Sequence, residues 1–160
     1  MTAKPPFIPP PHFTLHPTNL PLPPTTPPPK MKILTTNYLT CALRACKSHP
    51  SSFPLHFRDA ELQQDSLPFN AAFIANILPR IDWPALLTTA TELGFTGLPA
   101  EKPDLLATAE MEADEGVGRE LHRILLETQV VEGKLVCGNC GHEYAIHQGI
   151  ANFLLPGHLV

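Results

Sequence analysis

Apolar and polar positions follow three successive patterns along the chain. Lys32–Leu39, within MKILTTNYL, predicts a strand ending near Cys41. Farther on, Phe73, Ile74, Ile77 and Leu78 recur at helical spacing until Pro79 stops the run. Asp82 then offers an N-cap, Trp83–Pro84 fill the first turn, and Leu86, Leu87, Ala90 and Leu93 form one apolar face. Gly94 suits the left-handed position that ends such a helix. A loop rich in Pro, Thr and acid, Gly97–Ala113, precedes a third stripe of Val117, Leu121, Ile124 and Leu125. Such stripes face a core. From Thr128 the pattern is β: Gln129–Val131 and Lys134–Val136 flank Glu132–Gly133 as a two-residue hairpin turn. Glu143–Ile146 and Ile150–Leu154 flank His147–Gly149 in the same way.

Composition separates the first 30 residues from the rest. Of 20 prolines in 160 residues, 12 lie there. Proline removes backbone donors and fixes φ, so this tract predicts a polyproline-like or disordered extension rather than a core. It lacks the continuous apolar stretch of a secretory signal and contains no Arg, and Met31 reads as the beginning of the folded part. The tract holds two of the 11 Lys+Arg and none of the 15 Asp+Glu, which leaves the remainder at −6 by formal counting. An acidic domain disfavours direct wrapping of nucleic acid, which needs a basic patch. No apolar run approaches the roughly 20 residues needed to span a bilayer, so no membrane role is expected.

Cys137-Gly-Asn-Cys140-Gly-His lies between the two expected hairpins. A Cys-x-x-Cys-Gly at a strand end forms a tight knuckle whose glycine lets backbone amides approach the sulfurs, and its thiolates fill half of a tetrahedral zinc site. Cys41 and Cys46, after the first strand-like segment, supply the other half; these four are the only cysteines. A structural Zn²⁺ would then join the two ends of the fold, offsetting the entropy of closing so long a loop. The rivals are a disulfide, disfavoured without an export signal, and redox chemistry, which prefers a helix N-terminus. His142 reads as a surface residue or as one that supports the ligands.

Two enzyme-like motifs fail on context. His142-Glu143 and His147 are spaced one residue too far for a metalloprotease helix and lie in a strand pattern. Gly116-Val-Gly118 follows the acidic run Glu110–Glu115 instead of a buried strand. Four cysteines on one zinc leave no open coordination position, and no nucleophile, base and oxyanion donors assemble. No catalysis by this chain alone is expected.

MKILTTNYLTC with Ala45-Cys46, Phe53-Pro54-Leu55, FNAAFIANILPRIDWPALL and VVEGKLVCGNCGHEYAIHQGIANFLLPGHLV, in that order, resemble the multifunctional methyltransferase subunit family. The resemblance covers Met31–Val160. It implies an α+β fold in which both chain ends (31–60 and 128–160) form a zinc-ribbon-like domain with a small β-sheet. Residues 61–127 are then an inserted helical domain, and 1–30 stand outside the resemblance. It also implies zinc on Cys41, Cys46, Cys137 and Cys140. The implied function is that of a non-catalytic activating and stabilising subunit of several methyltransferases, paired 1:1 as heterodimers.

By the same resemblance, the partners bind S-adenosylmethionine themselves and act on tRNA, rRNA and a translation release factor. RNA is then met only through the partner, in cytoplasm and nucleus. The tail around Ile150, Asn152, Phe153, Leu154 and Leu155 is the expected partner surface, with alternate residues also serving a hairpin core. The competing class is a zinc ribbon that binds nucleic acid directly. It requires a basic face near the knuckle, where only Lys134 and the histidines lie close.

Overall fold

The structure, a computed structural model, describes residues 30–104 and 116–159. The proline tract before Lys30 and the run Glu110–Glu115 lie outside the described residues, as does most of the second half of the Gly97–Ala113 loop. In chain order the elements are β1 (Met31–Lys32), α1 (Ile33–Thr36), β2 (Leu55–Gln64), α2 (Ala71–Ile77), α3 (Trp83–Glu92), α4 (Val117–His122), β3 (Thr128–Cys137), β4 (Glu143–His147) and β5 (Ile150–Ala151). No helix among the described residues is long and apolar enough to cross a membrane.

The fold is α+β, organised around β3. One edge of β3 pairs antiparallel with β2 along its length, from Thr128↔Gln64 to Cys137↔Leu55. The other edge is shared: β1 pairs with Gln129 and Val130, and β4 pairs with Gly133–Val136. β5 extends the sheet beyond β4 through Ile146↔Ala151 and His147↔Ile150. The β4–β5 turn fills the gap between β1 and β4, since Met31 N–H donates to Gly149 O (2.7 Å) and Gly149 N–H to Val131 O (2.8 Å). Both chain ends thus meet in one sheet.

Three strand expectations are corrected, and one strand is unannounced; the strand expected over Ile150–Leu154 ends at Ala151. The strand expected over Lys32–Leu39 ends at Lys32, and Ile33–Thr36 coil into one helical turn. That turn buries Ile33 completely and lets Thr36 Oγ1 donate to Ile33 O (2.7 Å), contacts an extended segment would lose. Glu132–Gly133 is no hairpin turn but the middle of β3. Gly133 adopts φ 135° where β2 bulges at Asp59–Ala60; a Cβ there would stand 2.9 Å from Ala60 Cα and 3.0 Å from Asp59 O. Glycine inside a strand marks such a close backbone approach as readily as a turn. Lastly, β2 is a strand that the pattern does not announce: Glu61–Gln64 are all exposed, Leu62 included, and pairing to β3 holds them extended.

The helical expectations hold. Asn70 Oδ1 caps α2 by accepting from Phe73 N–H (2.9 Å), and Asp82 Oδ1 caps α3 by accepting from Ala85 N–H (2.9 Å). Gly94 ends α3 at φ 85°, with Phe95 N–H returning to Ala90 O (2.8 Å). The helices form one apolar cluster of Ile74, Leu78, Ile81, Trp83, Leu86, Leu121 and Leu125. The sheet forms a second around Ile33, Leu55, Phe57, Val130, Leu135, Tyr144 and Ile146. A π-helical turn, Arg123–Glu127, serves both, sending Ile124 to the sheet cluster and Leu125 to the helical one. Each fully buried Leu or Ile contributes about 1.5–3 kcal/mol. Glu92 ties α3 to β2: one carboxylate oxygen lies 2.6 Å from His56 Nδ1 and the other accepts from Phe57 N–H (2.9 Å).

Candidate metal centre and apolar groove

The strand expected to deliver Cys41 is replaced by α1 and an extended segment, and the delivery still succeeds. Cys41 N–H donates to Ser52 O (3.2 Å), anchoring its loop. Cys46 closes a single 3-10 turn, Arg44–Cys46, and its N–H donates to Leu43 O (2.9 Å). Cys137 is the last residue of β3, and the knuckle folds back on it. Cys137 N–H donates to His142 O (3.0 Å), while Cys137 O accepts from Gly141 N–H (2.9 Å). Gly141 makes this return at φ 71°, a conformation that suits glycine.

All four sulfurs lie within 4.8 Å of one another, and Cys41 Sγ to Cys140 Sγ is 3.7 Å. The cysteines are free. A tetrahedron of thiolates at about 2.3 Å from a metal has edges of about 3.8 Å, so the set fits one tetrahedral ion. Cys41, Cys46 and Cys137 are buried; Cys140 is exposed as a residue but turns its sulfur toward the others.

The surroundings of the sulfurs differ. Burial, above all, pushes the Cys41 thiol up. Burial also raises Cys140, with its three thiol neighbours adding to the effect, to about 12. Cys137 feels the same desolvation, but the backbone N–H groups of Cys140 and Asn139 outweigh it and hold this thiol below its ordinary value. Asn139 Nδ2 donates to Cys46 Sγ (3.2 Å). Tyr144 OH lies 3.1 Å from Cys41 Sγ and accepts from Ala42 N–H (2.8 Å); burial, followed by the Cys41 contact, raises its phenol well above the usual range. Soft sulfur donors, neighbouring N–H groups and burial suit a thiophilic cation, which these four residues could hold. With all four sulfurs bound, no coordination position remains for a substrate.

An apolar groove lies over the β5 edge of the sheet. β5 is the edge strand beyond β4, and Ile150 in it is 57% exposed. Asn152 N–H still donates to Ala145 O (2.9 Å), and Asn152 Oδ1 accepts from Leu154 N–H (3.0 Å), so the chain turns off the sheet here. Exposure alternates in the tail: Ile150, Asn152 and Leu154 (87% exposed) face outward, whereas Phe153 and Leu155 pack partly on the sheet cluster. Two adjoining depressions share Ile150, Ala151 and Phe153; one continues over Ala145 and His147, the other over Met31, Thr35 and Leu39.

Sequence reasoning passed over several contributors. Tyr144 and Asn139 touch the cysteine sulfurs, and Ala145, Ala151, Thr35 and Leu39 are among further residues that line the groove. The alternation of Tyr144 and Ile146 with outward Glu143, Ala145 and His147 was the available signal. It separates the buried phenol from the groove-lining positions.

Residues 32–149 match the sequence model of the Trm112p-like protein family, a span containing both cysteine pairs. The multifunctional methyltransferase subunit trm112 of Neurospora crassa is 55% identical over 130 residues, covering 81% of this chain and all of that protein. The multifunctional methyltransferase subunit TRM112 of Saccharomyces cerevisiae is 44% identical over 135 residues, covering 81% of this chain and again all of its own. A solved structure, the E. cuniculi Mtq2–Trm112 complex for methylation of the translation termination factor eRF1, is 22% identical with a TM-score of 0.43. That likeness covers 78% of this chain and 95% of that one. On the family match and these identities, the chain belongs to the Trm112p-like family.

Proposed function

We propose that the chain is a non-catalytic activating and stabilising subunit of several S-adenosylmethionine-dependent methyltransferases, bound 1:1. Its family membership, with relatives named as methyltransferase subunits, supports this reading. The geometric observation that carries it is an apolar groove beside the edge strand β5, with Ile150 and Leu154 turned outward. A partner strand added along such an edge gains main-chain hydrogen bonds, and its side chains gain an apolar seat. Binding only the folded partner stabilises it by mass action, about 2.7 kcal/mol when the subunit stands at 100 times its Kd. The cofactor belongs to the partner, whose loops this contact orders. The targets are tRNA, rRNA and a translation release factor, and the complexes work in cytoplasm and nucleus.

The metal of this reading is one structural Zn²⁺ on Cys41, Cys46, Cys137 and Cys140, supported by four sulfurs within 4.8 Å. When bound, zinc supplies cross-linking of the two chain ends and no reaction chemistry. Lys134, the lysine that the sequence places near the knuckle, is engaged with Glu143 (3.0 Å) and Asp59 (3.9 Å). In this reading RNA is met through the partner.

Affinity purification of the tagged chain from its own cells tests the proposal. Recovery of several different methyltransferases, each near 1:1, is the expected result. Recovery of RNA alone, or of no methyltransferase, sinks it.

A further inference from the structure

The sulfur cluster and the apolar groove meet in one side chain. Tyr144 is 1% exposed. At one end, its hydroxyl oxygen accepts from Ala42 N–H (2.8 Å), which leaves its own hydrogen free to reach Cys41 Sγ at 3.1 Å. A buried hydroxyl needs such partners, and these belong to the loop that delivers the first cysteine pair. At the other end, the ring stacks on Phe153 with centroids 4.4 Å apart and planes 19° from parallel. His142, two residues beyond Cys140, closes the edge of the same ring at 4.8 Å. Phe153 lines both depressions of the groove, yet it lies past the end of β5, with no strand pairing to hold it. Besides the packing of Phe153 on the sheet cluster, this stack is the aromatic contact that backs it.

We propose that Tyr144 is a positioning residue that couples metal occupancy of the cysteine cluster to the shape of the partner groove. With Cys41 fixed on a metal, Ala42 and the sulfur hold the phenol, and the ring holds Phe153 as the groove wall. Without the metal the Cys41 loop loosens, and the wall loses its backing. Coupling between two sites is reciprocal in binding free energy, so a partner seated on Phe153 must in turn raise the affinity of the cluster for its metal. This inference rests on the methyltransferase-subunit reading.

The test follows the equilibrium partition of Zn²⁺ between a chromogenic chelator and the full chain, free and saturated with a methyltransferase subunit captured by the wild-type chain. The wild-type complex is expected to hold zinc about tenfold more tightly than the free chain, within the usual range for coupled sites. In Tyr144→Phe, the free chain holds zinc less tightly and the protection by saturating partner falls below about threefold. Phe153→Leu keeps the hydroxyl and removes the stack, so it loses the protection with free-chain zinc affinity unchanged. Ile150→Ala, which changes the groove lining and leaves both stacked rings in place, weakens capture but retains the protection at saturation. Zinc content and circular dichroism confirm that each variant is loaded and folded. Full protection in both Tyr144→Phe and Phe153→Leu overturns the coupling. Failure of the wild-type chain to capture any methyltransferase overturns the functional reading instead, and the two failures are separate observations.

Discussion

Asn37 and Asp82 hold each other through two reciprocal hydrogen bonds across 45 residues of chain: Asn37 Nδ2 donates to Asp82 O (2.9 Å), and Asp82 N–H donates to Asn37 Oδ1 (2.8 Å). Asn37 is the residue after α1, and Asp82 is the cap of α3, so the pair sets the helices against the segment leading to Cys41. Asn37→Ala leaves both Asp82 backbone groups without these partners. A loss of about 1–3 kcal/mol is expected. It should appear in urea unfolding as a lower midpoint with an unchanged slope.

Gly133 and Gly141 both sit at positive φ, and their surroundings predict different costs. Gly141→Ala meets nothing within 4 Å and costs only backbone strain, about 1–2 kcal/mol. Gly133→Ala adds contacts of 2.9–3.1 Å with the backbone of Arg58, Asp59 and Ala60. Its loss should be the larger, because the β2 bulge must move. Equal unfolding midpoints for the two variants would refute the close-approach account.

That contrast also shows where the sequence was legible. The caps of α3 could be read locally, because Asp82 bonds Ala85 three residues on and Gly94 ends the same helix. The cysteines could be paired across the chain because thiols have few other uses in such spacing. Glu132–Gly133 misled because glycine serves equally as a turn and as the partner of a bulge, and only the position of Asp59 decides. The far half of β2 offers no buried face to read, since Leu62 is exposed along with Glu61, Gln63 and Gln64. Tyr144 carried a strand pattern but no sign of its neighbour, because Cys41 lies 103 residues away.

Zinc binding should release protons. In the metal-free chain, burial holds Cys41 above its ordinary value and Cys140 at about 12, so both are protonated at neutral pH. Ligation requires thiolates, and at least two protons must therefore leave. With two released, apparent affinity falls about a hundredfold for each unit of pH lowered near neutrality. Calorimetry in buffers of different ionisation enthalpy counts these protons. Replacing Cys137 by Ser should remove most of the affinity, and chelation of the wild-type chain should lower its melting temperature.

The outward residues of the tail allow binding to be separated from stability. Leu154 is 87% exposed and Ile150 57%, so Leu154→Asp and Ile150→Asp remove little buried contact from the free chain. Surface changes of this kind usually stay within about 0.5 kcal/mol. Phe153→Asp differs, because it places a charge against the Tyr144 ring and destabilises the free chain as well. If the groove seats a methyltransferase, the charge on Leu154 or Ile150 must be desolvated on binding, and capture should fall at least about tenfold. Melting curves and quantitative pull-downs on the same preparations read the two effects side by side. Unchanged capture by both exposed variants would move the partner surface away from β5, even if Phe153→Asp abolished binding, since that loss would then report only the damaged fold.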